Sequence, residues 1–108
     1  MSEELMKPGE RQLTEIRSYL FDLLDKVNSL AEENRVLLSN KGLESKLSIA
    51  LELITMHRYD LDIVMKNYWN SFKEIISELS NITELKDKLN DILEDVNQIE
   101  ELRKEAGF

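Results

Sequence analysis

The stretch "LTEIRSYLFDLLDKVNSLAEENRVLL", residues 13–38, decides the fold of this chain. Its apolar residues recur at alternating steps of three and four, the heptad pattern of a helix that buries one stripe against other helices. The residues that form the stripe are Leu13, Ile16, Leu20, Leu23, Val27, Leu30 and Leu37. We therefore predict a first helix over residues 10–40.

Two features distinguish this stripe from a simple two-stranded zipper. Asn34 occupies an a position, where a buried asparagine fixes the register and the number of helices, so we predict that it faces another helix. Leu24, Ala31 and Leu38 add apolar side chains at the e positions. A stripe of this width is typical of a bundle of three or more helices.

The first helix ends at "SNKG", residues 39–42, where Gly42 can adopt the left-handed conformation that closes a helix. A second helix is predicted over residues 43–79, which contain neither glycine nor proline. The connection between the two helices is short. The sequence therefore predicts that they pack antiparallel, as a helical hairpin.

A third helix is predicted over residues 82–105. Asn81 and Glu84 have the spacing of a capping box at its start, with Ser80 as a competing cap, but the run could also continue the second helix. Gly107 ends its heptad pattern. Residues 1–9 are predicted to be a disordered or frayed N-terminus. The expected fold is all-α: residues 1–108 form a single domain with a long hairpin and a third helix, in a coiled-coil or bundle architecture that oligomerises.

The central helix has more apolar surface than two neighbours can cover, which predicts an interface with a partner. Its apolar flanks contain residues spaced by seven, and the third helix continues the heptad pattern. The candidate interface residues are Asn34, Ile49, Met56, Ile63, Trp69, Ile76, Leu89, Ile92, Val96 and Ile99.

The net charge of the chain argues against two classes of binding partner. The net charge is −8, from 22 acidic and 14 basic residues, which argues against direct binding to nucleic acid or to an anionic membrane. The chain has no cysteine. It shows no secretory signal and no apolar run of transmembrane length, so we expect a cytoplasmic protein.

The stretch "HRYDLDIVMKNYWNSF", residues 57–72, holds the only histidine and the only tryptophan. On one helix its aromatic residues share a core face, so packing is a better interpretation than a ligand site. His57 has neither a second histidine nor the Glu-x-x-His spacing needed for a metal, and a contact with Asp60 would only satisfy its hydrogen bonding. We predict no catalytic residue, no metal and no cofactor.

The sequence thus favours a non-enzymatic helical interaction module: a small scaffold, adaptor or assembly subunit. The expected partner is a second copy, as a dimer, or another helical protein. An alternative is an acidic inhibitor or decoy that binds a basic protein surface, which requires the acidic residues to cluster in the fold. A ligand-binding helical bundle is the third hypothesis.

Overall fold

The wide apolar stripe of the first heptads forms the longest helix of the protein. In the computed structural model, which describes residues 9–107, helix α1 spans Glu10–Glu33. Residues 1–8 of the predicted frayed N-terminus lie outside this range. The residues that α1 buries are Ile16, Leu20, Leu23, Leu24, Val27 and Leu30. Leu24 at an e position is buried together with a and d residues, as expected for a helix with several neighbours.

The prediction of one unbroken helix over residues 10–40 is wrong at Asn34. This residue has φ −120° and ψ 27°, and a short helix α2, Arg35–Asn40, begins after it. The Asn34 side chain donates from Nδ2 to the carbonyl oxygen of Leu30 at 2.9 Å. Asparagine competes with helical backbone hydrogen bonds in this way, which accounts for the break. Asn34 is half-buried and marks a break rather than a buried seam position.

Gly42 closes the first hairpin, as predicted. Its φ is +73°, and the N–H of Leu43 bonds to the carbonyl oxygen of Leu38 at 2.9 Å while the N–H of Gly42 bonds to that of Ser39. These two bonds define a Schellman motif, and Leu38 and Leu43 supply its apolar contact because both are buried. Helix α3, Glu44–His57, then returns antiparallel to α1.

The predicted single helix over residues 43–79 is also wrong, because the chain turns back after His57. The N–H of Asp60 bonds to the carbonyl oxygen of His57 at 2.8 Å, and the Asp60 carboxylate accepts from the N–H of Ile63. The carboxylate caps a new helix. The rings of His57 and Tyr68 stack at 5.1 Å, whereas eleven residues of straight helix would separate them by about 16 Å.

The chain after this turn forms a third rod in three pieces. Helix α4, Leu61–Ile63, passes through a π-helical segment, Val64–Tyr68, into helix α5, Trp69–Ser80. The π segment adds an extra residue to the turn. Val64, Met65, Trp69 and Phe72 are buried across the junction.

The fourth rod begins with a 3₁₀ helix, Thr83–Leu89, before helix α6, Asn90–Ala106. The predicted helix over residues 82–105 is therefore α-helical only in its second part. Ile82 is extended and no side chain caps the 3₁₀ helix, so the expected capping box does not form. Gly107 ends α6 with φ +81°.

The first rod consists of α1 and α2, and the second rod is α3. The four rods form an up-down-up-down helical bundle. Lys26 contacts Asp95, whereas Asn34, farther along the first rod, contacts Lys88, so the fourth rod is antiparallel to the first. Trp69 and Asn70, at the start of α5, contact Glu100 and Arg103 in the second half of α6, so the third and fourth rods are antiparallel as well. The described residues extend 54 × 24 × 19 Å. The all-α bundle is thus confirmed, but it consists of four antiparallel rods instead of a hairpin with a third helix.

Residues from all four rods share one continuous core. Trp69 and Phe72 are its largest fully buried side chains. None of the helices within residues 9–107 is both long and apolar enough to cross a membrane.

Candidate interaction surface

Most of the predicted interface residues lie in the interior of this bundle. Six of them are at least nine-tenths buried, and they pack against other residues of the same chain: Trp69, Ile76, Leu89, Ile92, Val96 and Ile99. Asn34 and Ile63 are half-buried. Only Ile49 and Met56 are exposed, with 59% and 63% of their surface accessible.

Ile49 and Met56 lie on the side of α3 that points away from the core. The half-buried Leu53 stands between them, so the steps are four and three residues, which aligns all three on one helical face. We call Ile49, Leu53 and Met56 the α3 outer face. Its spacing is that of a heptad seam.

A groove between α1 and α3 lies on another side of α3, because its residues Leu51 and Thr55 stand roughly 100–160° around the helix from Ile49 and Met56. Its volume is about 410 Å³. The residues that line it are Phe21, Leu24, Asp25, Asn28, Leu51, Thr55 and Arg58. Leu24 and Leu51 give it an apolar lining, and the polar side chains of both helices complete it.

Two exposed aromatic rings mark one end of the groove. Phe21 and Tyr59 meet edge to face with ring centroids 5.5 Å apart, and the Arg58 guanidinium lies 4.6 Å from the centroid of the Tyr59 ring. Tyr59 is 66% exposed and follows Met56 by three residues. It therefore lies at the end of α3, in contact with the groove residue Phe21.

Sequence reasoning did not identify Phe21, Leu53, Arg58 or Tyr59 as surface candidates. Phe21 adjoins the buried stripe in the sequence, and Tyr59 belongs to a stretch that was interpreted as continuous helix. The available signal was Asp60 before an apolar run, a typical N-cap. A helix start at Asp60 would have placed Tyr59 in a turn.

Helix α6 differs from α3 because polar contacts connect it to α1. Asp95 is 6% exposed and accepts from Lys26 Nζ at 3.2 Å, and the same ammonium lies 2.8 Å from Asp22. Burial raises the pKa of the Asp95 carboxyl, and the neighbouring Asp22 adds to this shift against the attraction of Lys26. Lys26 lowers the pKa of Asp22, and Asp22 in turn raises the pKa of Lys26.

A second polar cluster connects α6 to α5. Glu100 Oε1 accepts from the indole N–H of Trp69 at 2.7 Å and pairs with Lys73, and Arg103 Nη1 lies 3.7 Å from the same oxygen. Burial alone would raise the pKa of Glu100, but Lys73, the indole N–H and Arg103 together hold it below its ordinary value. Arg103 also donates to Asn70 at 3.3 Å.

His57 and Asp60, the residues considered for metal binding or catalysis, make contacts within the fold. The imidazole of His57 stacks on Tyr68, and the Asp60 carboxylate caps α4. A second groove, of about 330 Å³ between α1 and the fourth rod, is lined by residues that include Lys26 and Lys88 but not His57. Within residues 9–107, no three His, Cys, Asp or Glu side chains are grouped as metal ligands.

Comparison with known proteins gives no relative: no family model matches the chain, and neither the curated proteins nor the solved structures contain a significant match.

Proposed function

We propose that the protein is a non-enzymatic helical interaction module, a small scaffold, adaptor or assembly subunit, that binds helical protein through the α3 outer face. The observation that carries this proposal is the exposure of Ile49 and Met56, at 59% and 63%, on a helix whose inner face is already buried. Helices that are apolar on more than one side have neighbours on more than one side. In α3 the second neighbour would be the partner.

The apolar surface has a size that supports binding. Ile49, Met56 and Tyr59 are 59, 63 and 66% exposed. With large side chains offering on the order of 150–250 Å² each, they present roughly 400 Å². Patches of about 300–600 Å² are often functional. Burying this one contributes on the order of 10 kcal/mol at 25 cal/mol per Å², before the cost of association.

Site-specific photo-crosslinking tests the proposal. A benzophenone amino acid replaces Met56 on the α3 outer face or, as the matched control, the exposed Gln98 on α6. Both proteins are irradiated in purified form and in cell extract. We expect a discrete adduct from position 56 that is absent from position 98. Equal labelling at both positions, or no discrete adduct at position 56, would contradict the proposal.

A second candidate function is the acidic inhibitor or decoy. Asp91, Glu94, Glu101 and Glu105 are all exposed on α6 at spacings of three, seven and four residues. This spacing aligns them in one acidic stripe. Such a stripe supports binding to a basic protein surface, with an affinity that falls as salt rises.

Fluorescence anisotropy with a lysine-rich helical peptide tests this second candidate. Glu94→Gln combined with Glu101→Gln would weaken salt-sensitive binding, while Ile49→Ser would leave it unchanged. Unaltered peptide affinity in the double variant would exclude the stripe as the binding surface.

A further inference from the structure

We propose that the partner of the α3 outer face is a second copy of this chain, bound antiparallel about a two-fold axis close to Glu52 and Leu53. This inference rests on the proposed function and specifies its partner. Two-fold dimers are the commonest oligomers, and their interface is one patch that complements itself.

The residue spacing of α3 suits such an antiparallel pair. If the axis passes between positions 52 and 53, position 49 of one copy faces position 56 of the other. Ile49 then packs against Met56 of the second copy at both ends, and the two Leu53 side chains meet near the centre. A parallel pair would instead place the exposed Ile49 against itself and Met56 against itself.

The charges that flank the seam favour the same orientation at its two ends. Lys46 is exposed near the start of α3, and Asp60 is exposed just beyond its end. In the antiparallel pair Lys46 lies near the end of α3 of the second copy, where Asp60 supplies a carboxylate, although Arg58 already lies over the Tyr59 ring and offsets part of this gain. In a parallel pair Lys46 would face Lys46 of the other copy.

Glu52 also opposes this arrangement and provides a specific test of it. The exposed Glu52 lies beside the axis, so the Glu52 side chains of the two copies approach each other. Like charges at such positions are unfavourable. Removing this charge should therefore tighten the dimer, which an interface elsewhere on the bundle would not predict.

The area of the patch agrees with a dimer of standard size. Roughly 400 Å² of exposed apolar surface, at the apolar fraction of about 56–65% found in interfaces, corresponds to roughly 600–700 Å² on each copy. A standard interface buries about 800 Å² per partner. The polar residues around Phe21 and Tyr59 can provide the remainder.

Disulfide trapping tests the orientation of the two copies. The native chain contains no cysteine, so every disulfide must come from an introduced residue. The variants are Glu52→Cys, Ile49→Cys and Met56→Cys, with Gln98→Cys as the control on α6. Under mild oxidation we expect Glu52→Cys to cross-link to itself. Ile49→Cys mixed with Met56→Cys should give the mixed disulfide in preference to either self-pair. Rapid self-pairing of Ile49→Cys, or equal cross-linking of Gln98→Cys, would overturn the proposal.

Light scattering and analytical ultracentrifugation of the native sequence complete the test. We expect a dimer mass at about 100 μM, a loss of affinity on the order of 100-fold for Met56→Glu, and a loss of about tenfold for Lys46→Glu. Glu52→Gln should tighten the dimer by about two- to fivefold. Gln98→Glu, which adds the same charge as Met56→Glu, should have no effect.

A monomer at this concentration would overturn the dimer. If Met56 photo-crosslinks to another protein of the extract while the chain alone stays monomeric, the interaction module stands and the second copy is wrong. If neither measurement finds a partner, both proposals fail.

Discussion

Helices α6 and α3 border the same core but differ in how they are attached to it. Buried or partly buried carboxylates on α6 bind Lys26 of the first rod and Lys73 and Trp69 of the third rod. Within the part of the chain that the structure describes, no side-chain hydrogen bond or ion pair joins α3 to another rod. Apolar contacts and the stacking of His57 on Tyr68 hold α3. It carries two of the exposed large apolar residues, Ile49 and Met56, while others lie on α1, on α2 and in the turn after α3. This difference supports the proposal that α3 contacts a partner, whereas the polar contacts of α6 stabilise the bundle.

The largest expected effect concerns the junction of α5 and α6. Trp69→Ala removes a fully buried indole together with its hydrogen bond to Glu100. We expect the free energy of unfolding to fall by about 3–5 kcal/mol. Tyr59→Ala, which truncates an exposed aromatic residue that contacts Phe21, is the control and should cost less than about 1.5 kcal/mol. Urea unfolding followed by circular dichroism measures both values, and similar costs would contradict the assignment of Trp69 to the core.

The two carboxylates of α6 should respond to pH with opposite signs. The pKa of Glu100 is held below its ordinary value of 4.5, so the unfolded state takes up the proton first. Its stabilisation is complete well above pH 4.5 and is lost as the pH falls through the lowered folded-state pKa. Asp95 has a pKa raised above 3.8, so the folded state takes up its proton first. Protonation of Asp95 therefore favours folding.

Neutral isosteres separate these two contributions. At pH 7 we expect Glu100→Gln to cost about 1–3 kcal/mol, because Lys73 and the Trp69 N–H lose an ionised partner. Asp95→Asn should cost less than about 1 kcal/mol, because it removes the penalty of a buried charge together with the Lys26 pair. The measurement is urea unfolding between pH 3 and pH 7. A larger cost for Asp95→Asn than for Glu100→Gln would show that the Lys26 contact outweighs burial.

The stability of the hairpin between α2 and α3 should depend on the backbone conformation of Gly42 and not on the space around it. Nothing lies within 4 Å of a Cβ added at Gly42, but φ is +73° there. Gly42→Ala should therefore destabilise the protein by about 1–2 kcal/mol through left-handed strain. Gly42→Asn should recover part of this loss, because asparagine tolerates that conformation. Equal costs for alanine and asparagine would point to a cause other than φ.

The sequence predicted the secondary structure class and the buried stripes better than the chain path. The heptads identified the core of α1, and Gly42 closes the first hairpin as expected. The turn at residues 58–60 was missed because it contains neither glycine nor proline. It depends on Asp60 capping α4, and on the stacking of His57 on Tyr68 once the chain reverses.

This missed turn also explains the incorrect interface residues. In one continuous helix Trp69 and Ile76 would border a surface, but in the folded hairpin the third rod turns them inward. Apolar periodicity identifies a helix face that is buried in the folded protein. It does not specify whether residues of the same chain or of a partner bury that face, since this depends on where each rod ends.

The smallest expected effect is that of Ile49→Ala, which the same substitution on the buried side of α3 puts in contrast. Ile54 is fully buried and Ile49 is 59% exposed. Ile54→Ala should cost about 2–5 kcal/mol because it leaves a cavity in the core. Ile49→Ala should change the stability of the dilute protein by less than about 0.5 kcal/mol, since alanine has the higher helix propensity and little buried area is lost.

Measuring the stability of these variants at several protein concentrations extends this comparison. Binding of a partner to the folded state adds stability in proportion to the logarithm of its concentration. The native chain should therefore become more stable than Ile49→Ala as concentration rises from about 1 to 200 μM, while the deficit of Ile54→Ala persists at every concentration. Thermal unfolding across this range measures both trends. A cost of several kcal/mol for Ile49→Ala at the lowest concentration would mean that its own chain already covers the α3 outer face.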